Sequence, residues 1–148
     1  ANIELKIRDN GAIELGDNVR LDFGARIVVA KNFIVKIGNN AEIGFCSLIN
    51  CGEDIFIGEG TAIGGHCILQ SSEHLISKQQ ITNVVDGEYK RDKINIGKNT
   101  WLASFVLVRP GVKIGDGCII GAFSLVSSEV PDFTMFAGIP AEKKRNVE

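Results

Sequence analysis

The chain has 148 residues, of which 45% are hydrophobic and 23% are charged, and its formal net charge at pH 7 is −2. This composition is typical of a folded globular domain and excludes an intrinsically disordered chain. The apolar runs are too short for a transmembrane helix, and the charge provides no basic surface for nucleic acid. We therefore expect one domain, residues 1–148, with no membrane insertion and no nucleic-acid partner.

The N-terminal residues and the cysteines indicate a compartment. From Ile3 the sequence IELKIRDN alternates charged and apolar residues, which is unlike a signal peptide. The four cysteines, Cys46, Cys51, Cys67 and Cys118, contain no CxxC spacing, so small buried thiols are favoured over a zinc site. We expect a cytoplasmic protein without a bound metal.

Aliphatic residues recur every six positions, beginning at Leu15. Two short slips and one interruption of 21 residues divide the repeat, and its last part, from Ile96 to Val126, has no slip. The fifteen repeat positions are Leu15, Leu21, Ile27, Ile37, Ile43, Ile49, Ile57, Ile63, Leu69, Ile96, Leu102, Val108, Ile114, Ile120 and Val126. Four residues after twelve of them stands a small or β-branched residue.

Three consecutive hexads form one larger unit of 18 residues. A glycine directly follows the first aliphatic residue of each unit, at Gly16, Gly38, Gly58, Gly97 and Gly115. An α-helix with 3.6 residues per turn cannot place residues six apart on one face, whereas short strands separated by regular turns can. We therefore predict triangular coils of three strands, with at least five coils from Leu15 to Pro131 and a looser first coil over residues 3–14.

The segment from Ile96 to Arg145, IGKNTWLASFVLVRPGVKIGDGCIIGAFSLVSSEVPDFTMFAGIPAEKKR, resembles the C-terminal block of a known family. It is similar to the hexapeptide-repeat acyltransferases, and within them to the sugar and xenobiotic O-acetyltransferases such as the galactoside and maltose enzymes. The resemblance implies an all-β fold, a left-handed parallel β-helix, with an inserted loop at 75–95. It also implies a C-terminal tail, 132–148, with a short helix whose first turn would contain Pro140.

The same resemblance assigns His74, at the start of the inserted loop, as the general base. Transfer of an acetyl group to a hydroxyl needs a base with a pKa near 7 beside that hydroxyl, and a neutral imidazole suits this role. The alternative is an exposed loop histidine. His66 lies on an outward position of the repeat, where we expect a surface or interface role.

The acceptor residues are predicted around this histidine. We expect Asn50 one coil below it and Glu73 beside it in sequence, together with loop residues that could hydrogen-bond a sugar. The candidates in the loop are Asp86, Glu88, Tyr89 and Arg91. The alternative for each of them is a solvated hairpin with a turn at Asp86–Gly87.

The coenzyme is predicted along the late coils, in a groove between neighbouring subunits. Small residues would let a thin pantetheine chain approach backbone N–H and C=O groups, and basic residues near the C-terminus would hold its phosphates. The candidates are Trp101, Ala103, Ser104, Ala122, Phe123, Ser124, Lys143, Lys144 and Arg145. Interface packing for Trp101 and a solvated charged tail are the alternatives.

The sequence therefore favours an acetyl-CoA-dependent O-acetyltransferase that acts on a carbohydrate hydroxyl by direct transfer in a ternary complex. An N-acetyltransferase acting on an amino sugar or antibiotic would use the same base and groove, and a non-catalytic β-helix scaffold is a third possibility. A carbonic anhydrase on this fold would need three histidine ligands, and the chain contains two histidines. Because the family's sites lie between subunits, we expect a homotrimer.

Overall fold

A computed structural model describes residues 2–78 and 83–148; residues 79–82 of the predicted loop lie outside the described part. The chain forms a left-handed parallel β-helix of about five turns, as predicted. Each turn contributes one short strand to each of three parallel sheets, so that residues one turn apart in sequence are neighbours in space.

The three sheets form the sides of a triangular prism. Sheet 1 contains β1 (Glu4–Ile7), β4 (Arg26–Val29), β7 (Leu48–Cys51), β10 (Ile68–Gln70), β15 (Leu107–Val108) and β18 (Leu125–Val126). Sheet 2 contains β2 (Ala12–Leu15), β5 (Ile34–Ile37), β8 (Ile55–Ile57), β13 (Ile94–Ile96) and β16 (Lys113–Ile114). Sheet 3 contains β3 (Arg20–Leu21), β6 (Glu42–Ile43), β9 (Ala62–Ile63), β14 (Trp101–Leu102), β17 (Ile119–Ile120), β19 (Thr134–Gly138) and β20 (Ala141–Asn146).

The six-residue repeat is the core of the prism. In sheet 1 the repeat positions pair in register from one coil to the next, in the order Ile27, Ile49, Leu69, Val108 and Val126. Thirteen of the fifteen repeat positions are at most 3% exposed. The two others, Leu15 and Leu21, belong to the first coil, which is covered by a neighbouring coil on one side only.

Small residues fill the corners and satisfy the backbone there. The Thr61 hydroxyl donates to the Gly97 carbonyl (2.7 Å), and the Thr100 hydroxyl donates to the Gly115 carbonyl (2.8 Å). The same Thr61 oxygen accepts the Thr100 N–H (3.1 Å), so one side chain joins neighbouring coils. Among the described residues no buried side-chain nitrogen or oxygen lacks a partner, which is what a tightly packed corner requires.

The predicted C-terminal helix is wrong, and the described part of the chain contains no helix. The tail instead forms an antiparallel hairpin of β19 and β20, with Pro140 in the turn. Thr134 and Phe136 are buried and Met135 is partly exposed, which is a strand-like alternation that lets β19 continue sheet 3 beside β17. Within the described residues there is therefore no helix that could cross a membrane.

Glycine is required where neighbouring coils approach most closely. A Cβ atom on Gly44 would lie 2.7 Å from both the carbonyl oxygen of Ile63 and the carbonyl carbon of Gly64. Both atoms belong to the backbone of the next coil, so the clash cannot be relieved by turning a side chain. On Gly65, in contrast, the nearest atom would be 3.3 Å away.

We expect Gly44→Ala to lower the free energy of unfolding by about 1–3 kcal/mol, because coils would have to separate locally. Gly65→Ala is the matched control and should lower the free energy of unfolding clearly less than Gly44→Ala. Urea denaturation followed by circular dichroism measures both, and equal losses in the two variants would contradict this account of coil stacking.

Candidate functional site

An antiparallel hairpin interrupts the solenoid between β10 and β13. Its arms are β11 (Ser72–His74) and β12 (Tyr89–Arg91), and it leaves the prism at the corner between sheets 1 and 2, the hairpin edge. Ser71 anchors its base, because the buried hydroxyl donates to the Glu53 carbonyl (2.6 Å) and accepts the N–H groups of Gly52 and Glu53 (both 3.0 Å). The insertion is thus fixed to the preceding coil.

One face of the hairpin carries His74. Tyr89 lies directly opposite it in the register, and the two rings pack with centroids 4.5 Å apart at a tilt of 34°. The Arg91 guanidinium lies 5.5 Å from the centroid of the same Tyr89 ring. Because side chains alternate along a strand, Ser72 shares this face, and the four side chains form one surface.

This face borders a groove between the hairpin and the preceding coils, which we call the lower groove. Its volume is about 260 Å³, and it is lined by Arg8, Val28, Ala30, Asn50, Cys51, Gly52, Ser72, Tyr89 and Arg91. Two predicted acceptor residues, Asn50 and Tyr89, therefore lie together here. Sequence reasoning missed Arg8, because it belongs to the first coil, where the repeat is loose.

Glu73 points to the opposite face of the hairpin. Its carboxylate accepts two hydrogen bonds from the Arg109 guanidinium, at 2.6 and 3.1 Å, and this contact raises the pKa of Arg109. Together with Gln70 and Pro110 these two residues line a second groove on sheet 1. Glu73 is therefore paired on the other side of the hairpin and does not orient His74.

Asp86 lies away from both grooves. It belongs to the hairpin tip, where the Gly87 N–H donates to the Val84 carbonyl (3.2 Å) in a turn. The Asp86 carboxylate accepts a hydrogen bond from the Asn83 amide (2.6 Å), so this predicted acceptor residue holds the turn together.

The predicted coenzyme residues cluster on a different corner, between sheets 3 and 1. A ladder of ring contacts runs along this corner, with centroid separations from 4.8 to 5.7 Å; three pairs are stacked, and Phe45 meets His66 edge to face. Its members, which define the aromatic edge, are Phe23, Phe45, His66, Phe105 and Phe123. Its four phenylalanines are 44–66% exposed. Phe105 and Phe123 have φ angles of 61° and 58°, unusual for bulky residues, and this turn directs each ring outward.

Ala103, Ser104 and Ala122 lie beside Phe105 and Phe123, the last two rings of this ladder. The exposed Trp101 lies just before Ala103, on sheet 3. Ser124 differs, since it is 2% exposed and its hydroxyl donates to the Gly121 carbonyl (2.6 Å) and accepts the Gly138 N–H (3.1 Å). Its side chain fills the corner and does not face a groove.

Lys143, Lys144 and Arg145 are exposed on β20, the strand at the C-terminal end of sheet 3. They form a basic patch at the same end of the prism as Ala122.

The two sets of residues occupy separate edges of one chain. From Ser104 the chain crosses sheet 1 to Arg109, which holds Glu73 on the hairpin. This stretch contains the turn at Phe105 and the strand β15, so sheet 1 lies between Ser104 and the hairpin. A single chain therefore does not bring His74 against the predicted coenzyme groove.

Three of the four cysteines are buried as expected and Cys46 is exposed, and two of the buried ones, Cys51 and Cys67, differ from an activated nucleophile. Burial, and then the charges of Asp54 and Glu53, raise the pKa of Cys51 to about 12, and burial also raises the pKa of Cys67. A nucleophilic cysteine needs the opposite shift. Within the described residues, no cluster of three or more His, Cys, Asp or Glu side chains is placed to hold a metal ion.

Comparisons with known proteins agree with this fold. Residues 93–128 match the family model described as bacterial transferase hexapeptide (six repeats). The chain is 29% identical over 150 residues to the putative lipopolysaccharide biosynthesis O-acetyl transferase WbbJ of Escherichia coli, covering 96% of this chain and 76% of that protein. It is 32% identical over 113 residues to the galactoside O-acetyltransferase of Escherichia coli, covering 76% of this chain and 54% of that enzyme.

Solved structures share the architecture. A variant of AntD, an N-acyltransferase from Bacillus cereus in complex with dTDP-4-amino-4,6-dideoxyglucose and coenzyme A, superposes with a TM-score of 0.81 at 21% identity. The match covers 99% of this chain and 83% of that one. The residues matched by the family model, the named relatives and the shared architecture agree with the similarity to the hexapeptide-repeat acyltransferases that the sequence indicates.

We expect Cys51 and Cys67 to resist alkylation by iodoacetamide at pH 9 in the native protein. The raised pKa of each thiol lowers its thiolate fraction, alkylation requires the thiolate, and both side chains are buried away from the reagent. Peptide mass spectrometry measures the modification, and the urea-unfolded protein is the control in which both should react. Fast modification of either thiol in the native protein would contradict the description of Cys51 and Cys67 as buried thiols with a raised pKa.

Proposed function

We propose that this protein is an acetyl-CoA-dependent O-acetyltransferase that acts on a sugar hydroxyl. The observation that carries the proposal is the position of His74 on the hairpin face that borders the lower groove. Relatives named as O-acetyltransferases support it. The chain spans about half the length of the galactoside enzyme that it matches.

The proposed reaction is a direct transfer with His74 as general base. A ring nitrogen of neutral His74 accepts the proton of the acceptor hydroxyl while its oxygen attacks the thioester carbonyl of acetyl-CoA. The carbon–sulfur bond then breaks, and the coenzyme leaves as a thiolate that takes up a proton. Tyr89 packs against the imidazole ring and limits its rotation, which favours a fixed direction of proton transfer.

A backbone amide near Trp101 would stabilise the oxyanion of the transition state. The amides of Trp101 and Ala103 donate to carbonyls of the next coil, at 2.9 Å each. Within the described residues the Ser104 N–H has no such backbone acceptor, so we assign it as the donor.

The coenzyme is proposed to lie along the aromatic edge. Ala103, Ser104 and Ala122 leave room for the pantetheine chain, and the outermost ring, Phe123, is 66% exposed and open to stacking. The basic patch on β20 would hold the phosphates.

A complete site then requires two copies of the chain, and we propose a homotrimer. The hairpin edge of one subunit would face the aromatic edge of the next, which brings His74 to the coenzyme groove. The exposed apolar rings of that edge support this arrangement, because contiguous apolar surface commonly marks an interface. A trimer has three equivalent sites of this kind.

An N-acetyltransferase remains the second candidate. It is favoured by the close similarity in fold to AntD, which is an N-acyltransferase. The same base and groove would serve an amine acceptor, so a panel containing sugars and amino sugars distinguishes the two reactions.

We expect His74→Ala to lower kcat/KM for acetyl transfer by about 10²–10⁴-fold, because the general base is lost. Release of free thiol from acetyl-CoA in the presence of the sugar and amino-sugar panel measures the rate. Lys90→Ala is the control, since Lys90 lies opposite Glu73 on the other face of the same hairpin and should retain activity. Unchanged transfer by His74→Ala would overturn the base assignment.

Mixed assemblies test the shared site. His74→Ala lacks the base, and Ala122→Trp fills the proposed groove from an exposed position, so each variant alone should be inactive. After denaturation and refolding of an equimolar mixture, about one quarter of the sites should combine an intact base with an intact groove.

Recovered activity of roughly that size, with light scattering that reports a trimer, is the expected result. An inactive mixture of correctly assembled trimers would show that base and groove belong to the same chain, and a monomer would contradict the shared site directly.

A further inference from the structure

We propose that the lower groove binds an oxyanion on the acceptor, so that the sugar which is acetylated carries a carboxylate or a phosphate. The inference rests on the proposed function for its link to catalysis, and it rests on Arg8 and Arg91 for the anion. Neither the family model nor the names of the relatives assigns a role to these two residues.

The groove is positively charged in a protein whose net charge is negative. Its nine lining residues include two arginines and no aspartate or glutamate. The nearby carboxylates of Glu53 and Asp54 do not line it, and they accept the backbone N–H groups of Asp54 and Ile34. A groove with two cations and no carboxylate attracts an anionic ligand.

The pairing of the other arginines points to the same conclusion. Across residues 2–78 and 83–148, three of the four other arginines, Arg20, Arg26 and Arg109, form ion pairs with glutamates of this chain. The fourth, Arg145, lies on the C-terminal strand and donates to the Asn146 carbonyl. Arg8 and Arg91 form no ion pair in that part of the chain, although surface carboxylates are common. Their guanidinium groups keep donors for a carboxylate or phosphate, which the planar fork can bind in a bidentate manner.

Both arginines are held in place by the fold. The Arg8 backbone N–H donates to the Val29 carbonyl (3.0 Å), which fixes the end of β1 against the next coil. Arg91 packs over the Tyr89 ring, and its Nη1 lies 3.5 Å from the Gly52 carbonyl oxygen. Arg8 at the end of β1 and Arg91 on the hairpin therefore line the same groove from two different elements.

The groove also adjoins the proposed base. Tyr89, which lines the groove, contacts both the Arg91 guanidinium and the His74 ring. An anion held by the arginines would leave the neighbouring part of the same ligand beside His74. Asn50 and Ser72 supply neutral hydrogen-bonding groups for sugar hydroxyls in between.

Binding of matched ligand pairs tests the inference by isothermal titration calorimetry on the assembled protein. The pairs are galactose with galacturonate, galactose with galactose 1-phosphate, and N-acetylglucosamine with UDP-N-acetylglucosamine. We expect the charged member of at least one pair to bind tenfold or more tightly, and we expect added salt to reduce that advantage. The pair that responds distinguishes a carboxylate ligand from a phosphate ligand.

Arg8→Gln and Arg91→Gln should each remove most of the advantage of the charged ligand and leave binding of its neutral partner within about twofold. Arg26→Gln is the control, because Arg26 is paired with Glu4 outside the groove, and it should bind like the wild type. Arg91→Lys should recover only part of the advantage, since lysine keeps the charge and loses the fork.

Equal binding of charged and neutral members in every pair, including no binding of either, would overturn the inference. Loss of the advantage in Arg26→Gln as well would overturn it too, because a general charge effect would then explain the preference. Anion binding that depends on Arg8 and Arg91 without acetyl transfer to any ligand would uphold the anion site and refute the proposed function. Transfer at equal rates to the charged and the neutral member of every pair, unchanged by both arginine substitutions, would refute the anion site alone.

Discussion

The structure depends on the close stacking of successive coils. Each coil places its aliphatic side chains on those of the coil before it, and backbone hydrogen bonds join the two coils in both directions. Where the chain turns, the backbones come so near that a methyl group at Gly44 would overlap the next coil. Every other feature is an addition to this stack, because the inward positions are already occupied.

Stacking restricts chemistry to the outside of the prism. Polar side chains at the inner corners, such as Thr61 and Thr100, donate their hydroxyl groups to backbone carbonyls. These hydroxyls are therefore not available to act on a ligand. Functional groups must therefore be carried by the faces, by the corners that point outward, or by an insertion. The hairpin is such an insertion, and Ser71 fixes it so that His74 is held by a strand and not by a free loop.

The separation of the two edges is the reason for proposing a site shared between two copies of the chain. Sheet 1 keeps the hairpin edge and the aromatic edge apart, and no rotation of a side chain spans the width of a sheet. In a symmetric assembly, the hairpin edge of one copy can lie against the aromatic edge of the next without any change in the fold. The aromatic edge, with its exposed rings, offers apolar surface that such contact would bury.

The hairpin also divides its own surroundings. Alternation along β11 sends His74 to the side of the preceding coils and Glu73 to the side of the following ones, where Arg109 neutralises it. Adjacent residues in sequence therefore belong to different grooves with different charge. This division is the reason that the two arginines of the lower groove remain available for an anion.

The sequence by itself determined the repeat, the inward aliphatic columns and the corner residues, because a six-residue period has few structural solutions and each position recurs many times. It also singled out His74, Asn50 and Tyr89, which the structure brings to one region. Only the tertiary structure decided that Ser124 is buried, that the tail is a hairpin, and that Arg8 reaches the groove under an insertion more than sixty residues later. These depend on contacts between coils at single, non-repeating positions, and a periodic pattern carries no information about such contacts.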